Sequence, residues 1–140
     1  MEEDQRKSRP LRILVADDEH AIADSLAKFF ILRHHEVQVG YDGLEAIRLA
    51  RSFVPHVAIL DINMPGLDGY SVARQIRQDP TLKGTKLIAL SALSHEEHIR
   101  RCDQVGFNKQ IVKPYSFHAL SELVDTLAAM DDGIAEVGSG

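Results

Sequence analysis

His56-Val57-Ala58-Ile59-Leu60-Asp61 is the stretch on which the fold turns. Its apolar run is nearly continuous, so the strand it forms has no side left for water. A strand buried on both faces belongs in a parallel sheet covered by helices. The run stops on a carboxylate, Asp61. The loop Met64 to Gly69 that follows contains Pro65, Gly66 and Gly69.

Moving outward, the same alternation of short apolar run and helical pattern repeats. Arg12-Ile13-Leu14-Val15-Ala16 reads as a strand ending on acids, and Ala21 to Arg33 places Ile22, Leu26, Phe29 and Phe30 at helical spacing. Glu36 to Gly40 is a second strand. Asp42 caps the next helix, with Glu45 three residues on. Tyr70 to Gln78 is a short helix, closed by Asp79-Pro80, and Lys86 to Leu90 is the fourth strand. Ser94-His95-Glu96-Glu97 is a capping signature that opens a helix to about Val105, with Gly106 as its C-terminal cap. Lys109 to Val112 is the fifth strand, Lys113-Pro114 a turn, and Ser116 to Met130 the last helix. Five βα repeats with right-handed crossovers predict a doubly wound α/β fold.

The domain spans residues 11–130, between a flexible lead-in at 1–10 and a flexible tail at 131–140. A chain of 140 residues has room for one such domain. The net charge of -5 argues against nucleic acid as a direct partner. The single cysteine, Cys102, rules out an intrachain disulfide. Neither a signal peptide nor a membrane-spanning run is present, which points to a cytoplasmic protein with no membrane partner. The chain is either a stand-alone protein or a fragment of a longer one, and the short lead-in and tail favour the first.

In doubly wound sheets the functional crevice lies beyond the carboxyl ends of the strands. Strand one delivers Asp17, Asp18 and Glu19 there, and strand three Asp61. Strand four delivers Ser91 and Ala92, and strand five Lys113. Clustered carboxylates repel one another unless a cation or proton compensates. Hard oxygen ligands suit Mg²⁺ (or Mn²⁺), which bridges carboxylates to phosphate oxygens. A carboxylate is also a nucleophile toward phosphorus. Phosphoryl transfer needs charge neutralisation and positioning, which Mg²⁺, Lys113, the Ser91 hydroxyl and the backbone N–H groups after Asp61 would supply.

These residues resemble the receiver domain of two-component response regulators. The elements that carry the resemblance are Ile13-Leu14-Val15-Ala16-Asp17-Asp18-Glu19, Leu60-Asp61-Ile62-Asn63-Met64-Pro65-Gly66-Leu67-Asp68-Gly69, Ser91-Ala92 and Lys113-Pro114. The resemblance covers Leu11 to Met130. It implies a flavodoxin-like, CheY-like (βα)5 sandwich with a five-stranded parallel sheet in the order 2-1-3-4-5. It implies that Asp61 accepts a phosphoryl group from a histidine kinase or histidine phosphotransfer protein. Asp18, Asp61 and the backbone carbonyl of Asn63 would hold Mg²⁺, with Asp17 acting through a metal-bound water. Lys113 would pair with Asp61 and then with the phosphoryl group, and Ser91 would swing toward it. The Lys113-Pro114 bond is often cis in this family. Output would be a change in binding to an unknown downstream protein, through the fourth helix, fifth strand and fifth helix.

Gln110 departs from the pattern. Three positions before the lysine, receivers commonly carry Tyr, Phe or His as a switch partner to the hydroxyl. The segment Gly106 to Pro114 looks most like receivers fused to, or serving, hybrid histidine kinases. Gln110 also supports an alternative, a pseudo-receiver that binds partners without phosphate. A phosphatase acting on external substrates is the third reading. Haloacid-dehalogenase-like enzymes place a second Asp two residues after the nucleophile, and this chain has Asn63 there. The expectation is therefore a protein that turns over only its own phosphoryl group.

Other features read more plainly. Gly66 and Gly69 are turn requirements. His34-His35 makes a favourable contact with a helix dipole. His95, His98 and Cys102 have helical spacing that would suit a soft metal. Glu96, Glu97, Arg100 and Arg101 interleave with them and favour a solvated face.

Overall fold

In the computed structural model the described residues are 9–93 and 95–139, with side chains described through residue 130. Most of the lead-in and Ser94 lie outside them. Five strands, β1 (Arg12–Ala16), β2 (Glu36–Gly40), β3 (Val57–Asp61), β4 (Lys86–Ser91) and β5 (Lys109–Val112), pair in parallel in the order β2-β1-β3-β4-β5. Helices α1 (His20–Leu32), α2 (Gly43–Phe53), α3 (Gly69–Gln78), α4 (Glu96–Val105) and α5 (Phe117–Ser139) connect or follow them, with a short 3₁₀ turn at Pro80–Leu82. This is the doubly wound sandwich that the buried third strand predicts.

Strand alternation divides the core. Ile13, Val15, Val57, Ile59, Ile88 and Leu90 face α1 and α5, where Leu26, Phe30, Leu120 and Val124 meet them. Leu14, Ala16, Ala58, Leu60, Leu87 and Ala89 face α2, α3 and α4. All five residues of β3 are buried, and so are four of the five in β1. These central strands fix where the carboxyl-end residues sit.

Local chemistry sets the helix ends. Asp42 Oδ1 accepts from the Glu45 N–H at 2.8 Å, and Glu45 Oε1 accepts from the Tyr41 N–H at 2.7 Å. The reciprocal bond thus lands one residue before the cap. Asp68 caps α3 by accepting from the Ser71 N–H. Gly106 closes α4 at φ 103°, a left-handed conformation that favours glycine. α4 itself begins after His95, whose side chain makes no capping bond.

Three expectations change. α5 runs through to Ser139, so the last helix passes Met130, where the sequence reading begins a tail. His35 does not act as a charged partner of a helix dipole. It is buried, its Nδ1 accepts from the Leu11 N–H at 3.1 Å, and burial lowers its pKa below the usual histidine value. The face of α4 that carries His98 and Cys102 is buried against α3 rather than solvated. The Tyr70 hydroxyl hydrogen-bonds His98 Nδ1, and Cys102 Sγ lies 3.6 Å from His98 Nε2.

Arg77 ties α3 to the approach to β5. Its guanidinium donates to the carbonyls of Gly106 and Thr85 and to Asn108 Oδ1. That brace holds the edge strand which delivers Lys113.

Candidate functional site

The hydrogen bonding between β1 and β2 carries one residue past Ala16, into the site. The Asp17 N–H donates to the Gly40 carbonyl at 3.1 Å, so the strand pattern carries past Ala16. Asp17 therefore falls on the α1/α5 side, after Ile13 and Val15. Its Oδ1 accepts from the Glu19 N–H at 2.9 Å, which turns the chain and leaves Asp18 exposed above. Asp61 ends β3 and follows Ile59 on the same side. The Ile62 N–H donates to the Leu90 carbonyl, which holds the loop after Asp61 against β4.

The predicted acids do converge. Carboxylate oxygens of Asp17, Asp18 and Asp61 lie within 4.8 Å of one another. Lys113 Nζ donates to Asp61 Oδ1 at 3.1 Å. Lys113-Pro114 is a cis peptide bond. Ser91 is buried at the end of β4, and its Oγ accepts from the Leu93 N–H at 2.9 Å. Asn63 is exposed, and its N–H hydrogen-bonds the Asp61 carboxylate. Its backbone carbonyl is the group the resemblance assigns to a metal.

Electrostatics mark the cluster as under-compensated. Burial pushes the Asp17 carboxyl up to about 6. The Glu19 N–H opposes that shift, and the charge of Asp61 adds to it. Burial also raises Asp61, against the hydrogen bond and charge of Lys113. For Lys113, burial pulls downward, but its bond to Asp61 and the charges of Asp61, Asp17 and Glu19 raise it overall. Asp17 Oδ2 is buried and has no hydrogen-bond partner. A buried oxygen anion without a donor is costly unless a cation or proton meets it. This cluster is compatible with a divalent metal site.

Two glycines serve different needs. Gly66 has φ 80°, the turn conformation expected of it. Gly69 is a packing requirement instead. A Cβ there would stand 2.6 Å from the Asp61 carbonyl oxygen and 2.8 Å from Ile62 Cα. α3 thus starts directly against the backbone that presents Asp61.

Gln110 pairs in register with Ala89, so it points to the α4 side of the sheet, where its Oε1 is buried without a partner. Sequence reasoning missed Tyr115. It packs with the α1/α5 cluster, and its hydroxyl is buried without a hydrogen-bond partner. Period-two counting does not pass through the Lys113-Pro114 turn, so no sequence signal directs this side chain inward.

A model of the response regulator receiver domain matches residues 13–125. This chain is a response regulator receiver domain. The receiver is 35% identical over 134 residues to a response regulator, MprA, of Mycolicibacterium vanbaalenii, covering 91% of this chain and 55% of that protein. The chain therefore spans about half the length of the curated relatives it matches. Among solved structures, the receiver domain of the Francisella response regulator 1452 is 30% identical, with a TM-score of 0.79, covering 86% of this chain and 98% of that one. The chemotaxis protein CheY4 of Vibrio cholerae shares the fold at a TM-score of 0.81 and 24% identity, covering 85% and 99%. The receiver thus belongs to two-component signalling. No helix among the described residues is long and apolar enough to cross a membrane.

Proposed function

We propose that this receiver takes a phosphoryl group onto Asp61 from a phosphohistidine, carried by a histidine kinase or a histidine phosphotransfer protein. The observation that carries the reading is the 3.1 Å pair of Lys113 and Asp61 beside two further acids with one orphaned buried oxygen. In the transfer, an Asp61 oxygen forms a bond to phosphorus and the phosphorus–nitrogen bond breaks. The imidazole leaves with the electron pair. Asp61 must be ionised to attack, and Lys113 with the Asn63 N–H keeps the anion accessible against the effect of burial.

Mg²⁺ or Mn²⁺ at the acids would neutralise phosphoryl oxygens, with Asp18, Asp61 and the Asn63 carbonyl as ligands and Asp17 acting through water. Lys113 stays within reach of the group on Asp61. Ser91 Oγ leaves the Leu93 N–H to donate to that group, and the loop into α4 follows. The result is a shift in population between two arrangements of α4 and β5. Exposed Ile99 on α4 and Val112 on β5 offer the apolar contact for a protein partner.

The receiver turns over only its own phosphoryl group in this reading, because Asn63 stands where a phosphatase would place its proton donor. It works in the cytoplasm, with no direct contact to nucleic acid or membrane. Incubation with Mg²⁺ and a small phosphodonor should give a hydroxylamine-sensitive adduct in the natural chain and none in Asp61→Asn. No adduct with any donor would sink the reading.

A further inference from the structure

Tyr115 is oriented against habit. A half-buried tyrosine ordinarily sinks its ring and leaves its hydroxyl in water. Here the residue as a whole is partly exposed, while the hydroxyl oxygen is buried and has no partner. The ring stacks on Phe117 at 6.3 Å between centroids, in the cluster under α1 and α5. Burying a hydroxyl without a partner is costly, so an inward-pointing phenol calls for a compensating acceptor.

Two orphaned acceptors exist among the described side chains, Gln110 Oε1 and Asp17 Oδ2. Sheet register separates them. Gln110 pairs with Ala89 and points to the α4 side, away from the cluster that holds Tyr115. Asp17 follows Ile13 and Val15 onto the α1/α5 side, where Tyr115 packs. The phenol also lies in the field of Asp17 and Asp61. Burial first, then those two charges, push its pKa up to about 12, so it keeps its proton as a donor.

We propose that Tyr115 is a positioning residue of the acid cluster, its hydroxyl donating to the buried Oδ2 of Asp17 through one bridging water and so orienting that carboxylate for a divalent cation. Buried waters of this kind join polar groups that lack direct partners. Glu19 N–H holds one oxygen of Asp17 and Tyr115 would hold the other, leaving the carboxylate one setting. The metal part rests on the function proposed above, and the hydrogen bond does not.

The test uses Tyr115→Phe, which removes one oxygen and keeps the ring. In metal-free protein at fixed pH, the Asp17 carboxyl ¹³C resonance should move in the variant while those of Asp42 and Asp68 stay. An unmoved Asp17 resonance overturns the proposal, whether or not the protein binds metal. In a Mg²⁺ titration followed by NMR, the dissociation constant should rise about 3- to 10-fold, the loss of one hydrogen bond. Equal affinity in the two proteins overturns the orienting role. Failure of the natural chain to bind Mg²⁺ would instead remove the metal reading while the ¹³C comparison still decides the hydrogen bond.

Discussion

Lys113 Nζ and Asp61 Oδ1 stand 3.1 Å apart, joined by residues at the ends of two strands that are not neighbours in the sheet. β4 lies between β3 and β5, so the lysine reaches over the end of β4 to the acid. The side chain of Asp61 is 5% exposed and that of Lys113 is 30% exposed, so the pair is only partly screened. Lys113→Met removes both influences of the lysine that hold Asp61 down, the hydrogen bond and the charge. Asp61 should then titrate at higher pH in a carboxyl ¹³C experiment. An unchanged midpoint would mean that Asp18 and Asp17 relax to offset the loss.

The acid cluster makes metal-free stability depend on pH. Asp17 binds its proton more tightly in the folded chain, near 6 against an ordinary value of 3.8. The folded state therefore holds more protons than the unfolded one in that window, and stability falls as pH rises from about 4 to about 6. Asp17→Asn should flatten this fall and, at neutral pH without metal, stabilise the protein by on the order of 2 kcal/mol. Urea melts of both proteins across pH 4 to 7 give the answer, at roughly 1 kcal/mol resolution. Saturating Mg²⁺ should raise the natural chain more than the variant.

Gly69 tests how tightly α3 is set against the site. A methyl group 2.6 Å from the Asp61 carbonyl oxygen forces backbone apart, because no flexible side-chain end is available to give way. Gly69→Ala should cost about 1–3 kcal/mol in chemical denaturation, as over-packing does. It should also weaken metal binding, since the displaced backbone is the one that presents Asp61. Gly66→Ala, where nothing stands within 4 Å, should cost less, through φ alone, and leave metal affinity intact. Equal effects from the two changes would contradict this division.

Much of this was legible in the residues, for a physical reason. Buried strands must be continuously apolar, so β1, β3 and β4 announce both their place and the rim where Asp17, Asp61 and Ser91 emerge. Lys113 emerges at the same rim because it follows β5, the last short run before a Pro turn. The inner face of α4 was not legible. His98 and Cys102 look polar beside Arg100 and Arg101, and only the approach of Tyr70 from α3 shows that they are core. Tyr115 escaped for a related cause, since the rule of alternation ends at a turn.

The Tyr70–His98 contact carries a prediction of its own. His98 is held below its usual pKa by burial first and by neighbouring positive charge next, so it is neutral and bonds to the Tyr70 hydroxyl. Arg101 lies over the Tyr70 ring at 4.0 Å and helps fix it. Tyr70→Phe leaves a buried imidazole nitrogen unpaired and should cost about 1–3 kcal/mol. His98→Leu removes the polar ring altogether and should cost less in the Tyr70→Phe background than alone. A double-mutant cycle measures that coupling, and simple additivity would show the bond to be worth little.

The proposed phosphorylation of Asp61 makes Gln110 a test of how the readout works. Its Oε1 is buried on the α4 side with no partner, so the present arrangement carries an unmet acceptor beside the strand that ends at Ser91. Gln110→Leu removes that acceptor at similar volume and should leave stability equal or raise it by about 1 kcal/mol. The effect on switching should have the opposite sign. If the amide finds a donor only after Ser91 Oγ lets go of the Leu93 N–H, the unmet acceptor in the resting form is what favours the shift. The leucine variant should then take up phosphate on Asp61 normally, yet move α4 resonances less far toward the activated position when a phosphoryl mimic is added. An aromatic switch works by ring packing, and this one would work by satisfying an amide. Full movement of α4 in Gln110→Leu would place the readout elsewhere, in Ser91 and the Leu93 loop alone.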